Sequence, residues 1–435
     1  MRTLREPATR LHLFMPLWLS ATSRFSSATP DIAIVALLEP ITLSRFRMYK
    51  IKEHMPEDIF ETLEGILDSN DPDRAIDFLI QRFRTAKKYA EWFDAVTMRA
   101  RLKLGLPLVQ FQSNSEIPGE ARAAYEEAVL EAARKTGDLF LAEGNIPNAW
   151  RYLRATGDSD RVAEAMNRLD IRENVEAVIE IALQQEVNPL RGLELILQQY
   201  GMCQALTAFG LYTGQKDRAQ CISLLSRMLH KDLVKRIGEA IEREEGARPD
   251  STNLLELIAG RDWLFGEYSS YIDTSHLISL LQYCPEVSEP TTLKLFHEFC
   301  EYGKRLSSTF QLKGQPPFED TYADVDHYVL ALANVEIETH LEHFRQKATE
   351  ADPERVGTVY WQALVRLLVA LGRHQAALEI ALQYFPSAHD SELACPSALR
   401  LCQLANRLDL LMQLMRRQGN ELTYLAAALE LIRKT

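Results

Sequence analysis

Residues 141–169, LAEGNIPNAWRYLRATGDSDRVAEAMNRL, decide the fold of this chain. They predict two amphipathic helices joined by a tight turn at Gly157 and Asp158, since glycine commonly follows the last residue of a helix. Apolar residues recur every three or four positions on both sides of that turn, at Ala149, Trp150, Leu153, Val162, Ala165, Met166 and Leu169. One short amphipathic helix cannot bury its apolar stripe alone. The stretch therefore predicts a helical hairpin that packs against further helices.

The amino-acid composition limits the classes of protein to which the chain could belong. The 435 residues are 46% hydrophobic and 25% charged, which is ordinary for a folded soluble protein and enough for several domains or one long solenoid. The six cysteines form no CxxC pair, so we interpret them as reduced, buried thiols. These features predict a cytoplasmic protein.

Net charge is −12 and unevenly distributed. Residues 1–54 contain eight Lys and Arg against four Asp and Glu, so the remainder carries the acidic excess. An acidic surface argues against general nucleic-acid binding, which needs basic residues to displace counterions. The apolar runs near the N-terminus are shorter than the roughly 20 residues of a membrane span. The sequence thus predicts neither a nucleic-acid partner nor a membrane span.

Residues 1–54 differ in composition from the rest of the chain. A short apolar run at 11–19, LHLFMPLWL, follows a basic start and is typical of a targeting segment, which would make the protein an exported one if residues 1–30 act as a signal. A spurious or disordered extension, with true initiation at Met48 or Met55, and an ordered part of the fold are the other two interpretations.

A repeat runs along the body of the chain. A turn residue is followed five positions later by a small or apolar residue that opens a helix, as in the pairs Asn70 and Ala75, Gly144 and Ala149, Gly214 and Ala219, Gly372 and Ala377, and Asn406 and Leu411. The separations of 74 positions from Asn70 to Gly144 and of 70 from Gly144 to Gly214 are about twice 35, and that of 34 from Gly372 to Asn406 is about one repeat, close to the period of tetratricopeptide repeats. Between residues 188 and 370 the spacing drifts.

Residues 371–378, LGRHQAAL, with Ala381 and Pro386 beyond them, resemble the turn and second helix of a tetratricopeptide repeat. Trp361 and Leu364 would fill the large positions of its first helix, and residues 144–152 are similar. The resemblance implies an all-α fold, an elongated and curved α-solenoid of antiparallel helix pairs. It also implies a scaffold that binds a protein or peptide on its concave face, without catalysis and without a cofactor.

Breaks in the pattern predict the domain organisation. We expect an N-terminal extension at 1–54 and helical repeats at 55–245. An irregular helical segment follows at 246–306, then a long loop at 307–326 and a second repeat region at 327–435. Loops longer than about 12 residues tend to be functional or linkers.

Six residues are predicted to contact a partner. Four lie on the helix of the opening hairpin or at its ends: Asn145, Asn148, Arg151 and Arg154. The other two, Phe318 and Tyr322, belong to the long loop, which is predicted to act as a lid or peptide contact, the alternative being a connector pinned by its aromatic residues.

The densest histidine group gives a weak metal candidate. His340 and His343 lie on adjacent turns of a helix predicted for residues 325–349, and Glu336 is predicted on the same face. Surface or partner-contact histidines are the competing interpretation. The sequence contains no nucleophile elbow and no phosphate-binding loop, so we predict no catalytic residue. Two alternatives to the scaffold stay open: a self-associating coat or assembly component, and a metal-binding or enzymatic protein with its site in 307–345.

Overall fold

The computed structural model describes residues 58–109, 117–311 and 313–434. The predictions for residues 1–54 lie outside these ranges. The described residues form twenty α-helices with short 3-10 and π-helical turns and contain no β-strand. The predicted all-α fold class is therefore confirmed for this part of the chain. Among its helices, none is both long and apolar enough to cross a membrane.

The chain divides into two compact units, Met1–Val178 and Ile179–Thr435. The first unit contains helices α1 to α6: Asp58–Leu67, Pro72–Thr85, Tyr89–Lys103, Gly119–Ala142, Ile146–Leu153 and Ser159–Arg168. Each helix packs against the next one along the chain. Helices that are joined by short turns and pack together run antiparallel, so this unit is a succession of helical hairpins.

The second unit follows helix α7, Val175–Ile179, which straddles the division and continues as a π-helical turn, Glu180–Gln184. Its thirteen helices, α8 to α20, are Pro189–Leu211, Arg218–Glu245, Leu254–Ile258, Thr274–Leu281, Pro290–Arg305, Thr321–Leu332, Ile337–Glu350, Pro353–Val356, Val359–Ala370, His374–Tyr384, Ala398–Leu404, Leu408–Gln418 and Glu421–Lys434. In this unit too, most helices pack against the helix that precedes or follows them in the sequence, from the pair α8 and α9 to the pair α19 and α20. One continuous apolar core runs through this unit from Leu183 to Ala427.

The turn of the repeat has a defined backbone geometry. Four of the predicted turn residues have a left-handed φ between 54° and 74°: Asn70, Gly144, Gly372 and Asn406. The next residue caps the helix, and its carbonyl oxygen accepts a hydrogen bond from the amide four positions further on. That amide belongs to the small or apolar residue of the pattern, and its side chain is buried in all four copies, at Ala75, Ala149, Ala377 and Leu411. The predicted turns are confirmed at these positions.

The copy at Gly214 differs from the prediction. The left-handed residue is Asp217, with a φ of 54°, and α9 begins after it. Ala219 is therefore exposed, while Ile222, five positions after Asp217, is buried. The turn therefore lies three residues later than predicted, and beside it the side chain of Lys216 donates a hydrogen bond to the carbonyl of Val187 over 2.7 Å.

One predicted helix has different bounds in the structure. The helix predicted for 325–349 is two helices, α13 and α14, which are separated by left-handed residues at Asn334 and Glu336. Glu336 is exposed and precedes α14, so it does not share a helical face with His340.

Candidate functional site

A groove lies between α4 and α6 in the first unit and has a volume of about 490 Å³. Its apolar lining comes from Leu141 and Ala142 on α4, Ala165 on α6, and Leu169 just beyond α6. Charged residues from the same two helices complete the lining: Asp138, Arg161, Glu164 and Arg168. An apolar floor between charged rims is the usual form of a groove that receives an amphipathic segment.

A second cleft of about 390 Å³ adjoins this groove, since Leu169 lines both. One wall is the turn before α5, including Glu143 and Asn145, and the other is the segment 169–174, which carries Asp170, Arg172 and Glu173. Arg172 pairs with Asp170 over 2.6 Å. We refer to the two spaces together as the α4/α6 groove. It runs from an apolar part between the helices to a more acidic part beside the α5 turn.

Ion pairs along the groove leave some of its charges accessible. Arg161 pairs with Asp138 across the space between α6 and α4. Lys87 donates to Glu143 over 2.6 Å, and this hydrogen bond lowers the pKa of the Glu143 carboxyl. Arg168 and Glu164 are 3.8 Å apart with two-thirds of each side chain exposed. Such exposed pairs contribute little and can exchange for partner contacts.

Only some of the predicted partner-binding residues of the opening hairpin line this groove. Asn145 lines it, although its side chain also caps α5 by accepting from the amide of Asn148 over 3.2 Å. Arg151 and Arg154 are exposed, but neither contributes to the lining. The apolar residues that do line it, Leu141 and Leu169, begin and end the opening stretch.

The second unit holds three buried carboxylates, and each is contacted by one histidine and one lysine. Asp324 on α13 is 1% exposed. Its two oxygens lie 2.9 Å from Nε2 of His343 and 2.6 Å from Nζ of Lys347, both on α14. The backbone amide of Asp320 also donates to Asp324 over 3.0 Å. These bonds join α13 to α14.

Asp326 is the second of these carboxylates and joins α13 to α12. Nδ1 of His297 lies 2.6 Å from one oxygen, and Lys304 donates to the other over 2.5 Å. Burial alone would raise the pKa of Asp326, but the hydrogen bonds from His297 and Lys304 outweigh burial and lower it. The same hydrogen bond to Asp326 raises the pKa of His297.

The third buried carboxylate is that of Glu298 on α12. It is 2% exposed, and Nε2 of His230 on α9 lies 2.7 Å from its carboxylate. The amide of Leu254 donates to it over 3.2 Å, and Nζ of Lys294 is 3.7 Å away. Burial opposes ionisation, yet the contacts with His230 leave the pKa of Glu298 lowered.

Three histidines meet between α13 and α14, and we call His327, His340 and His343 the histidine group. The Nδ1 atoms of His327 and His340 are 2.8 Å apart, so one must donate and the other accept. The ring of His343 stacks on that of His327 with centroids 3.9 Å apart. Burial lowers the pKa of His340, and burial together with the neighbouring imidazoles lowers the pKa of His327 to about 4.

The remaining atoms of the group explain why the rings of His327 and His340 stay neutral. Nε2 of His340 is buried and has no hydrogen-bond partner among the described residues. A proton on both nitrogens of His340 would bury an unsatisfied N–H and would place two N–H groups against each other if His327 were also charged.

The predicted loop contacts lie mostly inside the unit. Tyr322 is 3% exposed and belongs to the first turn of α13, with its ring packed over Gly303. Phe318 is half-buried and meets the rings of Tyr328 and Phe344 edge-on. Both aromatic residues therefore attach the loop to the helices and offer little surface to a partner.

The metal candidates from the sequence do not form a ligand group. His343 contacts Asp324, His340 contacts His327, and Glu336 lies outside α14. Among the described residues, the His, Cys, Asp and Glu atoms that converge within 4.8 Å are those of His297, Glu301 and Asp326.

That converging set already surrounds a cation of the chain itself. The ammonium of Lys304 lies 2.7 Å from the Glu301 carboxylate and 2.5 Å from that of Asp326. A metal ion would have to displace this ammonium, which already neutralises the carboxylates of Glu301 and Asp326.

Sequence reasoning missed the three buried carboxylates. The available signal was the presence of Asp324 and Asp326 in the otherwise apolar helix TYADVDHYVLAL. A charged residue among apolar neighbours has to be paired if that helix is buried.

Comparisons with known proteins add little. No protein-family model matches the chain, and no curated protein matches it. Among solved structures, the chain is similar to a protein described as "Circular tandem repeat protein with novel repeat topology and enhanced subunit contact surfaces". The identity is 15%, the match covers 86% of this chain and 82% of the other, and the TM-score is 0.17. A TM-score this low supports no argument about fold or function, so the proposals below rest on the residues.

Proposed function

We propose that this protein is a non-enzymatic scaffold that binds an amphipathic helical segment of a partner protein in the α4/α6 groove. The observation that carries the proposal is the groove itself, with an apolar floor between charged rims on two helices.

A helix is the occupant best suited to this shape. Apolar residues of a partner helix, spaced three and four apart, would contact Leu141, Ala165 and Leu169. Its flanking charges would meet the exposed charges of Glu164 and Arg168 on one rim. A basic end of the partner would lie toward the more acidic part of the groove.

The tetratricopeptide-like pattern supports the same function. Stacked helical hairpins of this kind bind peptides along their helices. In the segment that carries the resemblance, Trp361 stacks on Tyr384 with centroids 3.8 Å apart, and Leu364 is fully buried. The stacked rings join α16 to α17.

The chemistry-bearing residues of the second unit favour a structural role for that unit. Asp324, Asp326 and Glu298 each hold a histidine and a lysine in contacts between or within helices. Removing one partner of such a buried pair is strongly destabilising, and carboxylates engaged in this way have little capacity left for a substrate.

A displayed library of amphipathic helical peptides tests the groove directly. We expect enriched peptides to bind the full chain with a dissociation constant on the order of 10 µM. The variant Ala142→Trp fills the groove from an exposed helix end and should weaken binding by at least about tenfold. The matched control Leu211→Trp also lies at an exposed helix end and should bind like the wild type. Equal binding by all three proteins, or no enrichment, would refute the groove.

Metal binding is the rival function, because His297, Glu301 and Asp326 offer converging ligand atoms. Elemental analysis of the purified chain distinguishes metal binding from the scaffold function. We expect zinc and iron well below one ion per chain, because Lys304 neutralises these carboxylates. Stoichiometric metal that is lost in His297→Ala would overturn the scaffold proposal.

A further inference from the structure

A cleft of about 380 Å³ lies between α9 and α12 in the second unit, and we call it the α9/α12 cleft. Arg227 and His230, three residues apart, line it from one face of α9. Lys294 and Glu298, four residues apart, line it from one face of α12. The polar residues 252–253, just before α10, complete the lining.

The buried wall of the cleft is a carboxylate that is already engaged. Glu298 is 2% exposed, and one of its oxygens lies 2.7 Å from Nε2 of His230 and accepts from the amide of Leu254 over 3.2 Å. Glu298 therefore keeps the structural role described above. A ligand of the cleft would contact the residues nearer to solvent.

Two cations lie at the exposed side of the cleft. The guanidinium of Arg227, an exposed residue, forms no ion pair or hydrogen bond with any residue that the structure describes. Lys294 is 65% exposed, and its ammonium is 3.7 Å from the Glu298 carboxylate, too far for a hydrogen bond. The exposed Thr252 adds a hydroxyl to the lining. Two permanent positive charges thus keep their hydrogen-bond donors available beside a single carboxylate.

We propose that the α9/α12 cleft binds a phosphoryl group, carried by a phosphorylated side chain of a partner protein or by free phosphate. The inference concerns the second unit and does not depend on the α4/α6 groove.

A phosphoryl group suits these donors in charge and in shape. A phosphorylated side chain carries about −1.5 to −2 at neutral pH, which matches two cations better than the single charge of a carboxylate does. Its three terminal oxygens can accept from Arg227, Lys294 and the hydroxyl of Thr252 together. Arg227 can use two of its N–H groups for this, because a guanidinium presents them as a planar fork.

The acidity of the whole chain makes local cations decisive for such a ligand. The net charge of −12 repels anions from the surface in general. Arg236 lies further along α9, and its guanidinium is already paired with Asp232 at 3.0 Å. Arg236 therefore provides a matched control for Arg227 on the same helix.

Isothermal titration calorimetry of the full chain tests the proposal with two probes, inorganic phosphate and a short alanine-based peptide that carries one phosphoserine. We expect saturable binding of at least one probe, with a dissociation constant on the order of 0.1–1 mM. Arg227→Gln and Lys294→Gln should each weaken it by at least about tenfold, because each removes a charge-assisted hydrogen bond. The control Arg236→Gln should bind like the wild type.

The two probes also distinguish the sources of the phosphoryl group. A phosphopeptide that binds at least about tenfold more tightly than inorganic phosphate would identify a phosphorylated partner, and any smaller difference would identify free phosphate. The same peptide without its phosphoryl group should not bind.

Three results would overturn the proposal. These are no saturable binding of either probe up to about 10 mM, equal binding of the unphosphorylated peptide, and binding that persists unchanged in both Arg227→Gln and Lys294→Gln, which would show an adventitious ion only. Circular dichroism checks that each variant is folded, which both exposed positions favour.

Discussion

Acidification from about pH 7 to about pH 5 is expected to destabilise the packing of α13 on α14 through the histidine group. His327 has a pKa of about 4 in the folded chain, against about 6.5 for an ordinary histidine. Between these two values the unfolded state binds more protons than the folded state. The free energy of unfolding therefore falls as the pH falls through this window.

The size of the effect follows from the two pKa values. Linkage between about 6.5 and about 4 gives a loss of roughly 2 kcal/mol by about pH 5 and nearly 3 kcal/mol by about pH 4. His327 is partly exposed, so solvent screening reduces the expected loss at about pH 5 to roughly 1–2 kcal/mol. Acidic residues such as Asp326, whose pKa is lowered, also lose their stabilising effect as the pH falls toward their folded pKa.

Hydrogen exchange by mass spectrometry on peptides from residues 321–350 measures this opening in the full chain. The variant His327→Asn keeps a hydrogen-bonding group near the position of Nδ1 but cannot be protonated in this range. The difference in pH dependence between wild type and variant isolates the histidine contribution, since the carboxylates are common to both. The control His389→Asn alters an exposed histidine and should leave the pH dependence unchanged.

One result would refute this reasoning. If wild type and His327→Asn lose the same opening free energy between about pH 7 and about pH 5, then His327 and His340 do not stay neutral in the folded chain. The 2.8 Å contact between their Nδ1 atoms would then be irrelevant to stability.

Two further expectations concern packing and charge in the full chain, and urea unfolding measures both. Gly303→Ala should lower the free energy of unfolding by about 2–3 kcal/mol, because the added methyl group would overlap the buried ring of Tyr322. Gly65→Ala, whose methyl group enters open space in α1, should instead raise it by about 0.5–1 kcal/mol, and a loss at both positions would contradict the packing argument. Asp324→Asn should cost roughly 2–4 kcal/mol, since the buried Asp324 carboxylate pairs with the Lys347 ammonium and also contacts His343. Asp262→Asn, at a side chain that is 98% exposed, should cost less than about 0.5 kcal/mol, and equal costs would show that burial does not set the effect.

The turns of this fold were predictable because their causes are local. A left-handed residue at Gly144 or Gly372, a capping residue and the first helical hydrogen bond all lie within six consecutive positions. The same rule failed at Gly214, where the turn residue is Asp217. There Lys216 contacts the carbonyl of Val187, 29 positions back in the sequence, a tertiary contact that a local rule does not contain.

The candidate sites were less predictable because they depend on pairs of distant residues. Asn145 does line the groove, as the sequence suggested, but the floor comes from Leu141 and Leu169, which looked like ordinary core positions. Periodicity predicts that a residue faces a neighbouring helix. It does not predict the space between two helices.

The sequence by itself determined that the chain folds into helical hairpins, since helix caps, turn residues and apolar periodicity act over a few residues. Only the tertiary structure decided which charges meet and which apolar faces stay uncovered. Asp324 is balanced by His343 and Lys347, 19 and 23 positions away, and the same carboxylate on an exposed helix would be ordinary. Leu425 follows the same periodicity as the buried Leu411, yet no described helix covers it as Leu411 is covered. Burial is a property of the neighbours that a residue acquires on folding, and a local pattern does not contain them.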